Sequence, residues 1–150
     1  MSNNDRITKI LNGTIHSVKS VLPMELTISS PSLFQDSVIR SKMSVLIGMT
    51  GDVKGRIVID GSPTTFSTIG EMMYGMQLEG EMLESFTGEL GNMIAGNLAT
   101  NASQNDLIMD ITPPTILVGE AKLSGFSKAI RVPITLDSSN NLDVIFMLEG

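Results

Sequence analysis

The 150-residue chain contains no cysteine, no tryptophan and only one histidine, His16. Without cysteine there is no disulfide, no thiolate metal ligand and no cysteine nucleophile, which removes the cysteine-based phosphatases from consideration. A lone histidine cannot build a zinc site or a catalytic triad without partners, so we expect His16 to be an ordinary helix residue. The absence of cysteine fits a reducing compartment.

Basic residues are also scarce. The chain has 10 Lys and Arg against 16 Asp and Glu, a net charge of -6, and an isoelectric point near 4.6. No basic cluster could neutralise phosphates, which argues against nucleic acid and anionic membranes as partners. No apolar run approaches a membrane span, and the polar N-terminus is unlike a secretory signal. We expect a cytoplasmic protein with one domain over residues 1–150.

Hydrophobic periodicity predicts three helices and several strands. A first helix begins after an Asn3 or Asn4 cap and stops at Pro23, a second covers 63–74 before Gly75, and a third covers 80–102. Val- and Ile-rich alternation predicts strands at 37–49, 53–60, 107–111, 115–118, 128–136 and 142–148. Hairpin turns at 50–52 and 137–141 favour antiparallel pairing. The expected fold class is α+β, a largely antiparallel sheet with three helices on one face.

The last predicted strand is strongly apolar over 144–148. If this strand lies at an edge of the sheet, pairing with a second copy of the chain would cover it. We therefore expect a homodimer through a strand edge.

The third helix has an unusual exposed side. Leu83, Phe86, Leu90, Met93, Ile94 and Asn97 fall within roughly a quarter to a third of a helical wheel, the expected core-facing stripe. A second stripe, centred roughly 120° away, consists of Ser85, Glu89, Asn92 and Gly96. Glycines in a helix cost about 1 kcal/mol each relative to alanine. Their absent side chains leave room for another backbone or a partner near Glu89 and Asn92.

A Glu-x-x-Asn pair is by itself a weak signal. Both side chains could be solvated helix positions, and the glycines could serve only tight helix packing. Short carboxylates elsewhere sit beside predicted turns and strand ends, where they usually cap backbone groups, so we expect no metal site in this chain.

Ser85, Glu89, Asn92 and Pro114 have spacings that resemble the signature of the CheC/CheX/FliY family of chemotaxis phosphatases, in particular its single-site CheX type. That signature is Asp or Ser, three residues, Glu, two residues, Asn, and a Pro about twenty-two residues on. The stretch 88–96 also resembles the motif helix of that family, and 72–75 resembles the end of the preceding helix. The order of elements extends the resemblance over about 6–147.

This resemblance implies an enzyme that removes phosphate from an aspartate on a CheY-like receiver domain. It implies that Asn92 hydrogen-bonds the attacking water and that Glu89 pairs with the receiver's active-site lysine. Mg2+ would belong to the receiver. Ser85, Gly88, Gly96 and Pro114 would contact the partner. The chemistry is reasonable because an acyl phosphate is already activated, so placing a water in line matters more than acid or base, and a carboxamide does not titrate.

Two other functions stay open from the sequence. One is a receiver- or motor-binding module of the same fold that does not accelerate dephosphorylation. The other is a structural dimerisation domain. Methionines near the motif, at 72, 73, 76, 82 and 93, could form an adaptable docking surface or could fill the core.

Overall fold

The computed structural model describes residues 2–40 and 42–149. Three helices occur in this part of the chain: α1 Asn3–Val21, α2 Pro63–Tyr74 and α3 Gly80–Gln104. Its strands are β1 Thr27–Ile28, β2 Ser32–Leu33, β3 Val38–Ile39, β4 Met43–Gly51, β5 Gly55–Gly61, β6 Met109–Ile111, β7 Thr115–Val118, β8 Ala121–Lys122, β9 Lys128–Thr135 and β10 Asn141–Leu148. Over the described ranges, no helix is both long enough and apolar enough to span a membrane.

The helix ends follow the capping rules. The Ser2 hydroxyl accepts a 3.1 Å hydrogen bond from the Asp5 amide, so α1 is capped earlier than the predicted Asn3 or Asn4. Ser62 caps α2, whose first residue is Pro63. Gly75 ends α2 with a φ of 72°, a left-handed conformation that favours glycine.

Eight strands form one antiparallel sheet with the path β1-β9-β10-β5-β4-β6, to which β2 adds beside β9 and β7 beside β4. The three helices and one face of the sheet share the main hydrophobic core. A smaller core covers the opposite face, where segments around Phe34 and Phe126 pack on Val58, Ile145 and Met147. The predicted α+β class, with its antiparallel sheet and three helices, is confirmed.

Strand β10 is not an edge strand, which corrects the sequence-based expectation. It pairs with β9 on one side and with β5 on the other. Val144 and Phe146 face the main core, whereas Ile145 and Met147 face the smaller one. The run is apolar because both faces of a central strand are buried, and it therefore gives no support to pairing with a second copy.

The predicted strand at 37–49 is two strands. Val38–Ile39 leaves the main sheet to pair with β8, and β4 begins only at Met43. Ser41, between them, lies outside the described residues. The short strands β1, β2 and β8 were not predicted, because two residues are too few to show an alternating pattern.

Candidate functional site

Helix α3 crosses the helical side of the sheet and carries the motif residues. Its buried side chains include Leu83, Phe86, Leu90, Ile94 and Leu98, which belong to the main core. It contacts β4, β6 and α1. The Ser17 hydroxyl of α1 donates a 2.6 Å hydrogen bond to the Ile94 carbonyl oxygen. These contacts hold the helix in place, whereas Ser85, Glu89 and Met93 remain exposed.

The three glycines of α3 within residues 88–96 have different roles. A Cβ at Gly91 would lie 2.6 Å from Val45 Cγ1, and one at Gly88 would lie 3.2 Å from Ile116 Cδ1. Both glycines are buried and allow α3 to approach strands of its own chain. A Cβ at Gly96 would meet no neighbouring atom within 4 Å. The structure thus corrects the view that these glycines together open a partner surface, since Gly96 alone has that space.

The polar stripe of α3 lies on the exposed side, as the wheel predicts. Ser85 and Glu89 are exposed, and Asn92 and Gly96 are half-buried. From Ser2 to Arg40 and from Lys42 to Glu149, no side chain forms a hydrogen bond or ion pair with Glu89 or Asn92. Their donors and acceptors are available to another molecule.

Two residues assigned to the core-facing stripe do not belong there. Met93 is 37% exposed, and Asn97 is half-buried. The side of α3 that faces the core is centred nearer Thr87 and Leu98, both fully buried. Met93 consequently borders the polar stripe.

Pro114 lies beside the motif helix. Its Cγ is 3.7 Å from the Cβ position of Gly88, the residue before Glu89. Thr112 fixes this turn to the sheet, since its hydroxyl accepts a 2.8 Å hydrogen bond from the Gly48 amide and its own amide donates to the Gly48 carbonyl at 3.0 Å. Pro114 therefore forms one border of the exposed side of α3. The sequence reasoning missed Thr112, whose only signal was its position before Pro113 and Pro114.

Tyr74 forms the opposite border. Its ring meets the Phe86 ring edge-to-face, with centroids 5.7 Å apart and planes at 86°. Phe86 is buried, but Tyr74 remains 59% exposed. Sequence reasoning gave Tyr74 no role in the site, although an aromatic residue at the last position of a helix before Gly75 is a signal that could have drawn attention to it.

The charge on α2, α3, β6 and β7 is of one sign. Residues 57–121, which include α2, α3, β6 and β7, contain no Lys, Arg or His. The same stretch contains nine carboxylates: Asp60, Glu71, Glu79, Glu81, Glu84, Glu89, Asp106, Asp110 and Glu120. These elements offer no cation that could hold a phosphoryl group, and the cations that pack nearest to α3 are those of α1, among them Lys9 and Lys19.

The main cavity in the described part of the chain is not lined by the motif residues. A cavity of about 600 Å³ lies between the start of α1 and the β4–β5 turn, where Arg6, Lys54 and Lys128 contribute to its walls. α1 and α3 run antiparallel, with Lys9 contacting Asn105, so this cavity lies near the far end of α3, roughly 20 Å from Asn92 along the helix. Among the described residues, no group of three His, Asp or Glu side chains could hold a metal ion.

Comparison with known protein families shows which family has this fold and this motif helix. The family model described as "Chemotaxis phosphatase CheX" matches residues 43–137, more than half of the chain. The chain belongs to the CheX family. It is 32% identical over 144 residues to a protein named CheY-P phosphatase CheX from Thermotoga maritima, and the match covers 93% of both chains.

Solved structures agree with this CheX-family assignment. A CheC-like superfamily protein from Shewanella sp. PV-4 has a TM-score of 0.80 at 27% identity, covering 99% of this chain and 100% of that one. The CheX–CheY–BeF3–Mg2+ complex from Borrelia burgdorferi gives a TM-score of 0.79 at 25% identity, with 96% and 97% covered. FliY of Thermotoga maritima, at 12% identity and a TM-score of 0.65 with 99% and 91% covered, shares the fold.

Proposed function

We propose that this CheX-family protein hydrolyses the phosphoaspartate of a CheY-like receiver domain. The observation that carries the proposal is the outer side of α3, where the exposed Glu89 and the half-buried Asn92 have no side-chain partner within the described part of the chain and where α3 itself holds no cation. Such a face cannot bind a free phosphoryl group well, but it can complete a site that already holds a metal ion and a lysine. The Thermotoga relative is named a CheY-P phosphatase, and the Borrelia complex contains CheY and Mg2+.

Asn92 orients the attacking water in this proposal. Its carboxamide donates and accepts hydrogen bonds and stays neutral at every working pH. The acyl phosphate needs little proton transfer to its carboxylate leaving group, so correct placement of the water provides most of the acceleration. Asn92 lies on a helix that packs against α1 and the sheet, so its backbone is already held in place before the partner arrives.

Glu89 positions the partner. It precedes Asn92 by three residues, about 4.5 Å along the helix axis, so an ion pair between Glu89 and a lysine of the receiver sets where the Asn92 amide lies. A charge-assisted hydrogen bond in a desolvated interface is stronger and more directional than a neutral one. Mg2+ is supplied by the receiver.

Ser85, Gly96 and Pro114 border these two residues and are proposed to contact the receiver. Gly96 leaves space for an approaching backbone. Ser85 forms no side-chain hydrogen bond within the described part of the chain, so its hydroxyl can serve a partner. Gly88, also predicted as a partner contact, is buried under Ile116 and Pro114, and its role is to hold that border close to α3.

The test is the decay of phosphoaspartate on a receiver from the same organism, followed with and without the protein. We expect Asn92→Ala to lose the acceleration while it keeps receiver binding, and Glu89→Ala to weaken both. Asn12→Ala removes an exposed carboxamide from α1 and serves as the matched control. Absence of acceleration across several cognate receivers would instead favour the non-catalytic binding module, and equal activity in all variants would refute both assigned roles.

We also propose a homodimer, through the sheet edge at β7 and not through β10. Outside the described pairings with β4, strand β7 has one free side, and its Val118 is 67% exposed. A second copy pairing there would cover this edge. Light scattering should give twice the chain mass for the parent and a single chain mass for Val118→Lys, whereas a monomeric parent would refute this proposal.

A further inference from the structure

Three large apolar side chains are exposed beside the polar stripe of α3. Tyr74 is 59% exposed, Met82 58% and Met93 37%. We call these three residues the apolar ledge. Single exposed apolar residues are common on protein surfaces, but several on the same side of one candidate site indicate an interaction surface.

The ledge lies on one side of the proposed catalytic pair. At about 100° per residue, Met82 and Met93 fall within roughly 40° of Glu89, on the side toward Phe86. Tyr74 contacts that same Phe86 from α2. Pro114 borders the other side, next to Gly88. A partner that reaches Glu89 and Asn92 therefore lies between the turn at Pro114 and the ledge, and covers both.

Charge determines what kind of partner fits this surface. The two helices that carry the ledge, α2 and α3, hold carboxylates and no Lys, Arg or His. A partner with complementary charge has its positive charge where Glu89 reaches it, as in a phosphoaspartate site that holds a metal ion and a lysine. Away from that central contact, the acidic face supplies no attraction for a phosphate or for other carboxylates.

We propose that the apolar ledge contacts the receiver beside its phosphorylation site and determines affinity for the receiver, not the rate of hydrolysis. This inference rests on the proposed function. Methionine suits the role because its unbranched thioether adapts to an irregular surface. Tyr74 adds a rigid ring that loses little conformational freedom on binding, and aromatic residues of this kind are common at binding hot spots.

The test compares Met82→Gln, Met93→Gln and the double variant with Met72→Gln. Glutamine keeps the length and helix propensity of methionine, and the ledge positions are exposed, so the variants should fold like the parent. Met72 is 55% exposed and lies on α2 about 160° around the helix from Tyr74, which makes it a matched control. Receiver affinity is measured by calorimetry against a receiver loaded with Mg2+ and beryllium fluoride, and turnover by decay of the phosphorylated receiver.

We expect the double variant to bind at least about tenfold more weakly and to show a raised KM, with kcat within about twofold of the parent. Met72→Gln should match the parent. Unchanged affinity in the double variant, or an equal loss of affinity in Met72→Gln, would refute the proposed role of the ledge. A lower kcat at unchanged KM would also overturn it, because the residues would then act on the chemistry.

The two proposals fail in different ways. Ledge-dependent binding without any acceleration of decay would refute the phosphatase and leave the ledge standing. If the parent accelerates decay but its affinity does not depend on the ledge residues, the ledge proposal is refuted and the phosphatase proposal stands. A parent that neither binds nor acts on the loaded receiver would overturn both.

Discussion

The Ser17 hydroxyl donates a 2.6 Å hydrogen bond to the carbonyl oxygen of Ile94, two residues beyond Asn92. Both Ser17 and Ile94 are buried, and Gly13 allows the same close approach one turn earlier, where a Cβ would lie 2.8 Å from Leu98 Cδ1. Helix α1 thus fixes α3 close to the proposed catalytic residue.

Ser17→Ala should lower the free energy of unfolding by about 1 kcal/mol, the usual net contribution of one intramolecular hydrogen bond. Urea denaturation measures this change. Ser20→Ala, at an exposed position of the same helix, is the control and should stay within about 0.5 kcal/mol of the parent. Equal values for both variants would show that the Ser17 contact does not stabilise the fold.

Gly91→Ala and Gly96→Ala should change stability in opposite directions. Alanine at 96 meets no atom within 4 Å and should stabilise α3 by about 0.5–1 kcal/mol. Alanine at 91 would lie 2.6 Å from Val45 Cγ1 and should destabilise the protein by about 1–3 kcal/mol. Chemical denaturation distinguishes the two. If the receiver approaches Gly96 closely, the more stable variant should also have a higher KM.

Asp143→Asn should make the protein relatively more stable as pH rises. Partial burial raises the pKa of Asp143, and the nearby Arg131 opposes this, with 3.5 Å between Arg131 Nε and Asp143 Oδ1. A raised pKa means that folding favours the protonated acid, so this contribution is complete below the unfolded pKa of about 3.9 and is lost as pH rises through the folded value. Asparagine stays neutral throughout.

Urea titrations between about pH 3 and pH 7 measure the effect. As pH rises across this range, the free energy of unfolding of the variant should increase relative to that of the parent. The increase should be less than about 1 kcal/mol, because both side chains are partly exposed. A parent that becomes the more stable protein at neutral pH would show that the Arg131 contact outweighs desolvation.

Asn140→Ala should detach the start of α2 from the β9–β10 turn. The buried Thr65 hydroxyl donates to Asn140 Oδ1 at 3.1 Å, and Asn140 Nδ2 donates to Asp137 Oδ2 at 3.0 Å. Loss of the acceptor leaves the buried Thr65 hydroxyl with only its 3.1 Å contact to Ser62 Oγ, at a cost of about 1 kcal/mol. Asn141→Ala at the neighbouring exposed position should change stability little.

The same substitution should be visible in the titration of Asp137. Hydrogen bonds from Asn140 and from the Ser139 amide lower the pKa of Asp137. This stabilisation is present above the unfolded pKa of about 3.9 and is lost as pH falls through the folded value. In Asn140→Ala, carbon-detected NMR should therefore find a higher pKa for Asp137, and an unchanged pKa would contradict the assigned cause.

The helices and long strands could be predicted because their patterns are local. Pro63 and Gly75 mark the ends of α2, and alternation marks β5 and β9. The position of β10 could not be predicted in this way. An apolar run such as 144–148 has the same composition in an edge strand that pairs with another chain and in a central strand buried on both faces.

In the candidate site, too, features within one helix could be predicted from the sequence, whereas contacts between elements could not. Helical periodicity correctly placed Glu89 on an exposed stripe, since periodicity depends only on α3 itself. It could not show that Gly91 contacts Val45, that Pro114 lies beside Gly88, or that Tyr74 covers Phe86. Each of these pairs joins different elements of the fold, and only the packed structure brings them together.

The central position of β10 has a consequence for how the protein forms during translation. Strands β5 and β9 are both made before β10 and do not pair with each other, since β10 lies between them. The β4–β5 hairpin must therefore wait, with one edge open, until residues 141–148 have been synthesised. Such non-local pairing slows folding and leaves apolar strands exposed to aggregation in the interval, so nascent chains arrested before residue 141 should be bound by chaperones more strongly than full-length ones.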